Sequence, residues 1–149
     1  MTTSSVPTVR AALIAALDAR PGLDAVAVTH FWQGDANPQE AIYLGNTTLE
    51  NDWATVRAGR KTRDELYRIQ VHIRSLKPND WGPTAETRVF ALLAEIEDLI
   101  ANDPAIGLSA TFPTLRIIIT EAVVTPVLLD PGGIGAEAVV TLEARNRLT

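Results

Sequence analysis

His30 and His72 are the only histidines in the chain, and cysteine is absent, so the residue types that most often ligate metals or attack substrates are scarce. A zinc or iron site needs several convergent ligands. Neither histidine has a second ligand at helical or strand spacing. No metal and no cofactor are therefore expected, and His72 reads as a polar-face residue of a strand. Without cysteine there is no disulfide and no thiolate chemistry, which fits a reducing compartment. Ser109, in Gly107-Leu108-Ser109-Ala110, lacks the second glycine of a nucleophile elbow and joins no obvious strand to a helix. Gly132-Gly133-Ile134-Gly135 runs into strand-like sequence, without the lysine or helix N-terminus of a phosphate cradle, and reads as a hairpin turn. Two carboxylate pairs remain. Adjacent Asp64 and Glu65 point to opposite faces if a strand begins there. Glu50 and Asp52, two apart, can share a face, where solvation or an ion pair with nearby cations is expected before acid-base work. No catalytic constellation emerges, and the chain is expected not to be an enzyme.

Charge is distributed more tellingly. The chain carries a net charge of −5 with a pI near 5.0, so it has no global basic field to hold nucleic acid. Against that background, Arg57-Ala58-Gly59-Arg60-Lys61-Thr62-Arg63 gathers four cations around one glycine. The segment reads in three ways: a solvated hairpin tip, an arm meeting an acidic neighbouring subunit, or a lining for a channel that nucleic acid traverses. It lacks the interleaved aromatics of a single-strand reader. Arg57, Arg60, Lys61 and Arg63 are accordingly candidate subunit-interface or lumen residues. Arg68 and Arg74, on the polar side of the following strand, join them. Phe31, Trp32, Trp53 and Trp81 stand near loops, as core edges or as subunit contacts.

These residues must be held by a fold that 149 residues can build as one domain spanning 1–149. Hydrophobic residues make up 46% and charged ones 21%, an ordinary globular balance. The cleanest element runs from Asp64 to Lys77. Tyr67, Ile69, Val71 and Ile73 alternate there with Arg68, Gln70, His72 and Arg74, the period-two pattern of a strand with one buried side. Before it, Pro7 to Ala19 predicts a helix capped by Ser4 or Ser5. Ala25 to Trp32 predicts a strand, Gln33 to Glu40 a loop, and Ala41 to Leu44 a second strand closed by a turn or bulge at Gly45-Asn46. Leu49 to Ala58 is strand or irregular. After it, Thr84 should cap a long helix whose stripe is Val89, Leu92, Leu93, Ile96, Leu99 and Ile100, ended by Asn102-Asp103-Pro104. Leu115 to Leu129, bent near Pro126, and Ala136 to Arg145 then form a terminal hairpin. The expected fold is α+β: a largely antiparallel mixed sheet with two main helices packed on one face, in the order helix, three strands, helix, two strands. The N-terminus lacks a signal-peptide pattern and no apolar run is long enough to span a bilayer, so a non-exported, membrane-free chain is expected.

In this order of elements the chain resembles the tail terminator (tail completion) proteins of long-tailed bacteriophages, especially those of actinobacterial phages and prophages. The resemblance covers most of the chain. It rests on the opening helix Val9-Arg10-Ala11-Ala12-Leu13, on Phe31-Trp32-Gln33-Gly34 closing the first strand, and on the basic turn leading into Arg63-Asp64-Glu65-Leu66-Tyr67-Arg68-Ile69-Gln70-Val71. The long helix from Thr84 and the terminal hairpin complete it. It implies a virion structural protein, assembled in the bacterial host cytoplasm, that forms a homohexameric ring on the last ring of the tail tube. Its partners would be further copies of itself, the tail tube protein and the head-side neck or connector protein, with DNA passing non-specifically through the lumen. A head-tail connector or stopper shares these traits and is the nearer alternative. A small ligand-binding or enzymatic α+β domain is the farther one.

Overall fold

The computed structural model describes residues 3–33, 39–52 and 62–148. Helix α1 spans Val6–Asp18, a 3-10 turn follows at Pro21–Leu23, and strands β1, β2 and β3 cover Ala27–Thr29, Glu40–Asp52 and Arg63–Ser75. Helix α2 is Thr84–Asn102, and strands β4 and β5 are Arg116–Leu128 and Ile134–Leu148. The fold is α+β, with one five-stranded sheet in the order β1-β2-β3-β5-β4. β1 pairs parallel with β2, and every other neighbour is antiparallel.

The sheet owes its two sides to alternation. Along β3, Glu65, Tyr67, Ile69, Val71, Ile73 and Ser75 are buried, while the residues between them are half-buried. β5 repeats the pattern with Ala136, Ala138, Val140, Leu142 and Ala144 inward. Both helices lay their stripes on this inner face: Val9, Leu13 and Leu17 from α1, and Ala85, Val89, Leu92, Leu93, Ile96 and Ile100 from α2. Leu99, expected in the α2 stripe, sits only partly buried at its flank. Removing this much apolar surface from water, at about 25 cal/mol per Å2, is the main force holding the layers together.

The helix starts match expectation in part: the Ser4 hydroxyl accepts from the first-turn N–H of Val6 at 3.2 Å. Ser5 occupies the N-cap position of α1, but its side chain does not cap the helix. Its hydroxyl donates to Glu65 Oε2 at 2.6 Å and lies 3.1 Å from the Tyr67 hydroxyl, while its backbone N–H also donates to Glu65 Oε2 at 3.0 Å. A carboxylate from the sheet thus supplies the negative charge that a helix N-terminus favours. α2 likewise starts at Thr84 with Pro83 in the cap position and no side-chain cap.

Strand limits also moved. β1 shrinks from the expected Ala25–Trp32 to three residues. β2 runs unbroken from Glu40 to Asp52, absorbing Gly45 and Asn46 as a bulge opposite Gln70. β4 carries its irregularity between Ile119 and Glu121 rather than near Pro126, which stays paired with Ala136 in this edge strand. An edge tolerates the missing proline N–H, so no bend is needed there. Gln70 pairs with Thr141, and the β4 irregularity lies beside that same pair. The two bulges therefore stand at one level on opposite margins of the sheet. The Gly132-Gly133 turn is a tight hairpin end: Gly133 has φ +108°, and an added Cβ would run into Lys77 O and Asn79 N.

Candidate functional site

The side of the sheet away from the helices carries the polar residues singled out from sequence. Four rows can be read across it by register. Arg74 faces Glu137, His72 lies between Tyr43 and Val139, Gln70 faces Thr141, and Arg68 lies between Thr48 and Glu143. The alternation of β3 and β5 puts these side chains here, because the buried inward places are taken by apolar residues and by Glu65, Ser75 and Asn146.

Each candidate arginine described on this face has acidic neighbours within the chain. Arg68 Nη1 is 3.5 Å from Glu50 Oε1, and its Nη2 is 3.5 Å from Glu143 Oε2. Arg74 Nε lies 3.5 Å from Glu137 Oε1, an ion pair without hydrogen-bond geometry, and its guanidinium stands 4.7 Å from the centre of the Trp32 ring. Arg63 lies on the other side of β3, level with Leu148, and its Nη2 is 3.4 Å from the buried Glu65 Oε1. Arg57, Arg60 and Lys61, with Trp53, lie outside the described residues. The expected split of Asp64 and Glu65 holds. Asp64 reaches outward to a two-pronged pair with Arg147, at 2.7 and 2.9 Å, while Glu65 is 1% exposed. Asp64 is held below the usual carboxylate range by that hydrogen bond. The pair is solvent-exposed, and such pairs contribute little to stability.

At the upper end of the face, aromatic groups stack. Tyr43 and His72 lie parallel, with ring centres 4.9 Å apart and planes 4° apart, and Trp32 leans on Tyr43 at 5.0 Å. Gly45 makes this possible, since a Cβ there would overlap the His72 ring. Burial pushes the His72 pKa down from 6.5, with the Glu137 charge opposing. Burial also raises Tyr43, helped by Glu137 and opposed by Arg74. Trp32 remains 41% exposed, and Phe31 and Trp81 more so. Beneath the sheet, burial drives Tyr67 up to about 12, the Ser5 hydrogen bond opposing and Glu65 adding.

Sequence reading named Arg68, Arg74 and His72 but missed Tyr43, Glu137 and Glu143 as their partners. The available signal was the alternation of Glu137, Thr141 and Glu143 along β5, which needed only the strand register to become partner assignments. Chemically, the face offers aromatic surface and balanced charge. Among the described residues, no group of three or more His, Asp or Glu is placed to hold a metal ion, and no helix is long and apolar enough to cross a membrane. The sequence matches no protein-family model and no curated protein.

Proposed function

We propose that the chain is a structural subunit of a long-tailed bacteriophage: a tail terminator that forms a homohexameric ring, caps the tail tube, stops its polymerisation and offers a docking surface to the head-side connector. The observation that carries this reading is the one-sided sheet. Its inner face is filled by both helices, while its outer face presents Trp32, Tyr43, His72 and a lattice of ion pairs. Subunits of a ring need lateral surfaces of this sort, stable alone yet able to meet a neighbour. The resemblance in element order to tail terminators supplies the biological setting, with the protein acting in the virion at the junction of tail and neck. The basic residues Arg57, Arg60 and Lys61 would line the lumen or a subunit boundary, together with Arg63.

The test mixes purified protein with tail tubes and separately with tailless heads, scored by electron microscopy. Rings seated on tube ends, and tubes that stop growing when the protein is added, are expected. Binding to heads alone, with no effect on tube length, would reject the terminator reading in favour of a connector or stopper.

A further inference from the structure

The two margins of the sheet differ in charge and in relief, and they match each other. β1 covers β2 only at Ala41, Ile42 and Tyr43. Among the described residues, no strand pairs with the outer side of β2 from Thr47 to Asp52. That margin carries Glu50 and Asp52 on the outer face, by their register with Leu66 and Asp64. Between them in sequence, on the helix side, Leu49 is a large apolar group left 40% exposed. The opposite margin is the lower half of β4. There Arg116 stands beside Arg145 on the outer face, and both are exposed. Along this margin lies a shallow, mostly apolar groove between β4 and the end of α2, lined by Ile100, Ala101 and Pro104 and by β4 from Arg116 to Ile119.

The levels correspond as well. Thr47, Ile69, Leu142 and Ile119 form one row across the sheet, so the next row down runs through Thr48 and Ile118. Leu49 then falls level with Ile117, and Glu50 level with Arg116. Along the same margins the directions are compatible. β2 descends from Glu40 while β4 ascends from Arg116, so two copies side by side bring antiparallel strands together. The β4 margin is not bare throughout, because the Ile117 N–H already donates to Pro104 O at 2.9 Å. The match at this level is therefore one of side chains and not of a backbone ladder.

We infer that a second copy of this chain docks head to tail, with Leu49 of one copy in the groove between β4 and α2 of the next, and with Glu50 and Asp52 facing Arg116 and Arg145. The inference rests on the self-assembly part of the ring reading and names the surfaces that would make it. Such a contact uses two different patches, so it propagates until it closes on itself. Opposed charge fixes the register and the order of approach, while the desolvated leucine supplies the affinity.

The chain contains no cysteine, which gives a clean cross-linking test. A Leu49→Cys, Ala101→Cys variant, oxidised and run without reductant, should give a ladder of covalent oligomers. The two positions cannot join within one copy, because Leu49 lies on β2 and the groove that Ala101 lines runs along β4, three strand spacings away, roughly 14 Å. Leu49→Cys alone should give no ladder, and a dimer from it would point to a two-fold contact instead. In parallel, Arg116→Glu or Glu50→Arg should each raise the concentration needed for assembly by about tenfold, and the two together should restore it. Circular dichroism on each variant separates lost assembly from lost folding, and the double reversal serves as an internal control. Rings that persist with no ladder and no effect of charge reversal would overturn this contact while leaving the ring reading intact. A wild-type protein that stays monomeric at every concentration, with and without tail tubes, would overturn both.

Discussion

Glu65 shows how one side chain can tie layers together. Buried on a strand, it accepts from the Ser5 hydroxyl and backbone N–H at the start of α1 and stands 3.4 Å from Arg63. Ser5→Ala removes the hydroxyl donor to a buried carboxylate and should lower stability by about 1–3 kcal/mol, read as a shift in urea midpoint at constant slope. A loss under about 0.5 kcal/mol would mean that the remaining donors suffice. His72 offers a different test. Its pKa is depressed by burial, so the folded state prefers the neutral ring. The groups facing it are Tyr43 from β2, Val139 and Glu137 from β5, and Arg74 on its own strand. Because the unfolded chain takes up the proton first, stability should fall as pH drops through the unfolded value of about 6.5 and level off below the folded one. Denaturant midpoints at pH 7.5 and 5.5 should differ in the wild type and differ less in His72→Gln. Equal pH dependence in the two would remove His72 as the source.

At the scale of elements, β2 illustrates what was legible in sequence and what was not. Gly45-Asn46 was readable as a turn or a bulge, and local sequence cannot decide between these, since the decision depends on which residue of β3 lies opposite. The structure joins both flanks into one strand with the pair opposite Gln70. Gly45 is then fixed by its neighbour: replacing it with valine drives a side chain into His72. Gly45→Val should destabilise by about 1–3 kcal/mol and weaken the near-ultraviolet dichroism of Trp32 and Tyr43. Adding His72→Ala should recover part of that loss, a non-additivity that a thermal-melt double-mutant cycle can measure. Additive effects would show that the two residues do not share the space. α2, by contrast, was legible because five residues of its predicted stripe, Val89, Leu92, Leu93, Ile96 and Ile100, repeat at the helical period, and all five are buried. Its anchoring to the sheet was not. Glu40 takes hydrogen bonds from Arg88 at 2.7 Å and Lys77 at 3.2 Å. Burial pushes its carboxyl up, and those two cations more than offset the effect.

For the whole molecule, the helix-on-one-face architecture followed from two alternating strands and two amphipathic helices, because an apolar sheet face and an apolar helix stripe have few other ways to be buried together. The partner of each arginine on the outer face did not follow, because Arg68 and Glu143 are 75 residues apart in sequence and meet only through register. The margins of the sheet were hidden for the same reason. Their two bulges, level with each other across Gln70 and Thr141, carry a consequence best put in the language of a reading frame. A strand is read two residues at a time, one to each side, and Thr120 is an extra letter that the bulge between Ile119 and Glu121 absorbs, so that the phase is kept on both sides of it. Lose that letter, and Ile119 and Glu121 become neighbours that already alternate opposite Leu142 and Thr141, so Ile117 and Ile119 keep facing the helices. Elsewhere in the strand a one-residue insertion or deletion changes phase rather than length; at this bulge one residue can be lost and every side chain keeps its face.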